Sequence, residues 1–211
     1  MTEDEIRNEK KRLREILKRR LALLTEAEIS AKSLRVAEFL TGSEAWKRAD
    51  WVFCFLFMKR EFKTHSVIRQ ALSNGKRVAA PRIRGQFIDF REIGGKETEW
   101  ELHPFGIPEP PSAFPVVDPL LTGEASILVV TPGLGFSVNG ARLGQGGGFY
   151  DRFFEYASAA RITAWGVAFE CQIIEGIPVT EKDKVMDAVV WERGIMSPEL
   201  QADNLFADTR S

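Results

Sequence analysis

Between Glu3 and Leu24 the apolar residues Ile6, Leu13, Ile16, Leu17, Leu21 and Leu24 recur on one stripe at helical spacing, which predicts an amphipathic helix. Thr25 with Glu28 forms a capping-box pattern, and a second apolar set, Ile29, Val36, Ala37 and Leu40, runs to the stop signal Gly42. Ser43 is placed to cap a short helix through Trp46, after which WVFCFLF (51–57) reads as a continuous apolar strand covered on both faces. Thr64 is the expected N-cap of a helix through Leu72 that the Asn74-Gly75 pair ends, and a strand resumes from Arg77 to Ile83. Gln86 to Ile93 alternates like a partly exposed strand, Gly94-Gly95 breaks it, and a loop-rich stretch follows to FGIPEPP. Buried strands are expected at Ser126–Thr131, Ile162–Phe169 and Asp187–Trp191, with a helix from about Phe149 to Ala159. Strands that alternate with helices imply an α/β fold. We expect a three-layer sandwich with a mainly parallel sheet flanked by helices, plus a loop-rich β lobe. Residues 1–196 are expected to form a single catalytic domain, and 197–211 a tail of unclear order.

Composition narrows the partners. The chain has 211 residues, 44% of them hydrophobic, enough for one sizeable core. Its 29 basic and 30 acidic residues leave a formal net charge of -1, so no global field favours nucleic acid or acidic lipid, and anion binding has to be local. Neither partner class is expected. Cys54 and Cys171 make no disulfide framework and no CxxC pair. The N-terminus lacks the apolar core of a signal peptide, and the longest apolar run, Trp51 to Met58, is far short of the roughly 20 residues of a membrane span. A cytoplasmic location is expected.

The segment Leu128–Arg152 runs from a buried strand into a glycine-rich turn and then a helix. Glycines let main-chain N–H groups approach an anion closely, and the following helix start adds unpaired donors and a positive dipole end, so the pattern is that of a phosphate site. Arg142 is expected as a surface cation at the mouth of the turn, able to bind bidentately. Asp151 is either a carboxylate favoured by the helix dipole or a ligand for magnesium bridging phosphates. Neither the GxxxxGK[ST] pattern nor the dinucleotide fingerprint is present.

The run PGLGFSVNGARLGQGGGFYDR (132–152) resembles the signature of the 5-formyltetrahydrofolate cyclo-ligase family, also called 5,10-methenyltetrahydrofolate synthetases. The resemblance extends to Lys10 and Arg14 on the first helix, FMKREFKT, APRI, FGIPEP and EKDKVMDAVV, in that order, and so covers nearly the whole chain. It implies ATP- and Mg2+-dependent cyclisation of 5-formyltetrahydrofolate to 5,10-methenyltetrahydrofolate, with release of ADP and phosphate. By the same resemblance, ATP is held by Lys10, Arg14, Arg142, Leu143, Gly144, Gln145, Gly146, Gly147, Gly148, Phe149 and Tyr150. The folate is held by Leu56 and Glu61 together with Gln145, Gly146, Gly147, Gly148 and Phe149, with Met58 lining the same pocket. Magnesium falls to Asp151, with Glu181 and Asp183 as further ligands near Asp187. A carboxylate such as Glu61 can accept two hydrogen bonds from an aminopyrimidinone edge.

Lys10 and Arg14, four residues apart, project from one side of a helix, with Lys10 beside the apolar stripe, whereas Arg12 and Arg19 are expected on a solvated face. Where relatives carry a Pro-Gly-Glu-like turn with acidic neighbours, this chain has the more basic Met58-Lys59-Arg60-Glu61-Phe62-Lys63-Thr64. His65 and His103 have no partners that suggest catalysis or zinc, and Cys54 is expected in the core. The expected partners are ATP and a reduced folate, and the expected state is a monomer or weak dimer. Two other readings compete: a non-catalytic folate-binding paralogue, and a phosphosugar isomerase or acyl-CoA-type enzyme on a similar sheet.

Overall fold

In a computed structural model, residues 1–94 and 100–198 are described. The expected C-terminal tail, 197–211, lies almost entirely outside them. Helix α1, Glu3–Ala22, opens with a capping box between Thr2 and Glu5, and α2, Glu26–Gly42, opens with the predicted one between Thr25 and Glu28. Ser43 caps α3, Glu44–Arg48, by accepting from the Trp46 amide. Strand β1, Trp51–Cys54, is shorter than the predicted run. Its partners diverge after Cys54, and Phe55 and Leu56 stay apolar because they are buried beneath a cavity.

Helix α4, His65–Ser73, follows Thr64, but the expected cap bond is not made: Thr64 has αR backbone angles and its buried hydroxyl has no partner. Strands β2, Arg77–Arg84, and β3, Phe87–Ile93, pair antiparallel. A small lobe follows, in which β4, Glu101–Leu102, pairs with β5, Pro108–Glu109, before β6, Val116–Val117, returns to β3. Strand β7, Ile127–Thr131, does not run directly into a turn and helix as the sequence suggested. A hairpin of β8, Gly135–Ser137, and β9, Arg142–Leu143, intervenes before helix α5, Phe149–Tyr156. The chain closes with β10, Ile162–Val167; β11, Ile173–Ile174; β12, Ala188–Trp191; and β13, Gly194–Met196, an edge strand the sequence pattern did not suggest.

The main sheet has the order β13-β12-β10-β7-β1-β2-β3-β6. Strands β2, β1, β7, β10 and β12 are parallel, and the antiparallel pairs lie at both edges. Alternation along the central strands sends Val52, Cys54, Leu128 and Val130 to one face under α1, α2 and α4, and Trp51, Phe53, Ile127 and Val129 to the other under α5. This is the expected three-layer α/β sandwich.

From β1 the chain proceeds outward through β2 on one side and through β7, β10 and β12 on the other. The crevice beyond the carboxyl ends of β1 and β7 is therefore the topological switch point, where open α/β sheets bind ligands.

Candidate active site

A cavity of about 560 Å³ occupies that crevice. Its floor is Phe55 and Leu56 after β1 and Pro132 and Gly133 after β7; one wall is α1 with the glycine turn, and the other is Ile83 of β2 and Ile88 of β3 together with Phe105 of the lobe. A smaller cavity of about 230 Å³ adjoins it, sharing Phe55, Met58, Glu61, Pro132, Gly133 and Gln145.

The first wall gathers cations from distant parts of the chain. Helix α1 buries Leu13, Leu17 and Leu21, and Leu17 packs so close to the β8–β9 hairpin that a Cβ at Gly135 would lie 2.5 Å from its Cδ1. That close approach sets the helix so that Lys10 and Arg14 face the cavity. Lys10 Nζ donates to both carboxylate oxygens of Asp183 at 2.8 and 2.6 Å, and Arg14 Nε donates to the Gly144 carbonyl at 2.9 Å. Burial alone would raise the Asp183 carboxyl, but Lys10 and the Thr180 amide and hydroxyl outweigh it and hold the group below its ordinary value. Arg12 and Arg19 are exposed, as expected of a solvated face.

Arg142 departs from the expectation of a surface cation. It lies in β9, only 8% exposed, because the hairpin folds the strand back beneath the turn. Its Nη2 donates to Asp151 Oδ1 at 2.8 Å, its guanidinium lies 5.6 Å from the centre of the Tyr150 ring, and its buried Nε has no hydrogen-bond partner. The Tyr150 hydroxyl is also buried without a partner, and burial pushes its pKa up, so the ring supports Arg142 while the hydroxyl stays neutral. Leu143 is fully buried, and its carbonyl accepts from the Leu134 amide at 2.7 Å.

Gln145, Gly146 and Gly147 form the exposed tip of the turn. Gly146 has φ +106°, a conformation that needs glycine, and a Cβ there would stand 3.6 Å from the Arg14 guanidinium carbon. Gly148, with φ +67°, is the N-cap of α5, so the helix start carries no side-chain cap and leaves its amide donors to the cavity. Phe149 opens α5 and lines the same space. Arg152 ties the tip to the β2–β3 turn through the Gly147 and Gln86 carbonyls.

Glu61 lies across the cavity in the turn after β1, where its Oε2 accepts from the Met58 amide at 2.8 Å and its own amide donates to the Met58 carbonyl at 3.1 Å. Burial pushes its pKa up against that hydrogen bond. The basic neighbours are turned elsewhere: Arg60 donates to carbonyls at the end of α1, and Lys63 pairs with Glu26 and Ser30 on α2. The turn is therefore basic in sequence without presenting those two charges to Glu61.

Of the carboxylates matched to a metal, Asp151 and Asp183 line the cavity, whereas Glu181 is exposed and does not. Asp187 accepts from the Ala164 amide at 2.6 Å and pins β12 to β10. Among the described residues no three His, Cys, Asp or Glu side chains converge as a ready-made metal cage. His65 packs on Phe57, His103 on Phe105, and Cys54 lies fully in the core. Among the described residues no helix is long and apolar enough to cross a membrane.

Sequence reasoning missed three contributors. Phe105, at the tip of the lobe, lies within FGIPEP but was not assigned a role there; Glu109 in the same motif is 2% exposed and accepts from the Ile83 amide at 2.8 Å. Gln172 donates to the Gly133 carbonyl at 2.7 Å and so fixes the cavity floor, with no local pattern to announce it.

The model of the 5-formyltetrahydrofolate cyclo-ligase family matches residues 6–192. The 5-formyltetrahydrofolate cyclo-ligase of Mus musculus is 28% identical over 199 residues, covering 89% of this chain and 95% of its own. That of Escherichia coli K12 is 32% identical over 155 residues, covering 68% and 81%. The NMR structure of Aquifex aeolicus 5,10-methenyltetrahydrofolate synthetase superposes with a TM-score of 0.74 at 26% identity, covering 90% of this chain and 92% of that one.

Proposed function

Because the chain belongs to the 5-formyltetrahydrofolate cyclo-ligase family, we propose that it closes 5-formyltetrahydrofolate to 5,10-methenyltetrahydrofolate at the expense of ATP, and that the cavity between α1, the glycine turn and the lobe is its active site. The observation that carries the reading is convergence. Lys10 and Arg14, Arg142 with the glycine turn, and Glu61 come from three separate stretches of chain and meet in one crevice.

The chemistry fits a site without a nucleophilic side chain. A formyl amide oxygen is a poor leaving group, so the N5-formyl oxygen attacks the γ-phosphorus of ATP and ADP departs. The N10 nitrogen then adds to the activated formyl carbon, gives up its proton, and phosphate leaves with the former formyl oxygen. The protein contributes position and charge. Lys10, Arg14, Arg142 and the amides of the turn hold the phosphates. Leu56 and Met58 flank the folate ring, and Glu61 accepts from its amino edge.

Each cation already has a partner: Asp183 for Lys10, Asp151 for Arg142, and the Gly144 carbonyl for Arg14. Those partners preorganise the cations, and phosphate oxygens share or replace them. Asp151 and Asp183 are also the carboxylates beside the cations in the cavity, and Mg2+ typically takes one or two carboxylates together with water and phosphate oxygens. They would hold it, and it would neutralise phosphate charge.

The test is direct. The protein is incubated with 5-formyltetrahydrofolate and Mg-ATP while the near-ultraviolet absorbance of the methenyl product is followed. Growth of that band with stoichiometric ADP is expected. Folate binding without product would instead indicate a non-catalytic paralogue.

A further inference from the structure

Arg60 is the one non-glycine residue with positive φ, +71°, among the described residues. That conformation crowds the Cβ of an arginine against the backbone, so something must hold it. Its guanidinium Nη1 donates to the Ala22 carbonyl at 2.5 Å and the Leu21 carbonyl at 3.3 Å, two acceptors at the C-terminal end of α1, where a cation also complements the helix dipole. The left-handed step lets the chain double back, so that Glu61 donates to the Met58 carbonyl and its carboxylate accepts from the Met58 amide. Arg60 lines the smaller cavity and not the larger one. The same α1 presents Lys10 and Arg14 to the glycine turn.

We propose that Arg60 is a positioning residue that ties the Glu61 turn to the end of α1, so that the helix meeting the phosphates of ATP also fixes the carboxylate meeting the folate. Order at one subsite is then transmitted to the other through one helix, and nucleotide strengthens folate binding. The inference rests on the active-site assignment above.

The experiment measures dissociation constants for 5-formyltetrahydrofolate, with and without the β,γ-imido analogue of ATP, in the wild type, Arg60→Gly and Arg60→Asn. Glycine adopts positive φ freely and asparagine tolerates it, so both variants cut the tie without forcing the backbone, and Arg60→Asn serves if Arg60→Gly does not fold. In the wild type the nucleotide analogue is expected to tighten folate binding by about fivefold or more, and both variants should lose most of that gain. Their affinity for the nucleotide analogue alone should stay within about twofold of wild type, a split that general loosening of the fold would not produce. Variants that keep the gain, or that lose both affinities alike, overturn the role of Arg60 while leaving the active site standing. A wild type that binds no folate overturns the site assignment and this inference with it.

Discussion

The two sides of the cavity satisfy their charges in opposite ways. On the α1 side every assigned cation has a partner from elsewhere in the chain: Lys10 reaches Asp183, Arg142 reaches Asp151, and Arg14 reaches the Gly144 carbonyl. On the other side the Glu61 carboxylate has its pKa raised by burial and accepts from one backbone amide, that of Met58. The cation side is thus preorganised by exchangeable partners, and the Glu61 side carries a charge whose desolvation a hydrogen-bonding ligand relieves. Substitutions on the first side should change stability and phosphate binding together, whereas those on the second should change folate binding and leave phosphate binding untouched.

The largest effect is expected from Arg142→Ala. Removing a nearly buried cation leaves Asp151 without its charge partner, so stability should fall by about 2 kcal/mol, and affinity for ATP by about 30-fold or more, read by thermal melts and nucleotide titration. Asp151→Asn should be milder for the fold, since the amide oxygen still accepts from Arg142. Its turnover should fall about tenfold or more, with a raised Mg2+ midpoint, while stability changes by under ~1 kcal/mol. Equal magnesium dependence in mutant and wild type would remove Asp151 from the metal site.

Glu61→Gln should weaken 5-formyltetrahydrofolate binding about tenfold and leave ATP affinity unchanged. It also carries a pH signature. Because the folded carboxyl has a raised pKa, it favours the native state most below its ordinary value of 4.5, and that contribution disappears as pH rises through the raised value. The stability of wild type relative to Glu61→Gln should therefore decline across that window, measured by paired denaturant titrations. Glu181→Gln should do least. The side chain is exposed and outside the cavity, so a shift in turnover beyond about twofold would restore it as a ligand.

What was legible in the sequence was what depends on short-range pattern. The capping box at Thr25, the apolar stripe that buries Leu13, Leu17 and Leu21, and the two covered faces of β1 and β7 follow from spacing alone. Lys10 and Arg14 could be placed on the inward side for the same reason. Arg142 could not be placed correctly, because its burial depends on a hairpin between β7 and α5 that the glycine-rich run conceals. Thr64 looked like a cap but adopts helical angles, which aims its hydroxyl away from the free amides. Arg60 and Lys63 read as local basic charge, and only their contacts with α1 and α2 show how Glu61 stays clear of them. Gln172 and Glu109 act through backbone groups far away in sequence, which no local motif encodes.

The joint role proposed for the two sides is to bring the formyl oxygen of the folate onto the γ-phosphorus of ATP. It is tested most directly with 5-formyltetrahydrofolate carrying oxygen-18 in the formyl group, turned over with unlabelled ATP in unlabelled water, followed by mass analysis of the released phosphate. One labelled oxygen is expected in each phosphate formed. Unlabelled phosphate, with the label appearing in water, would contradict it.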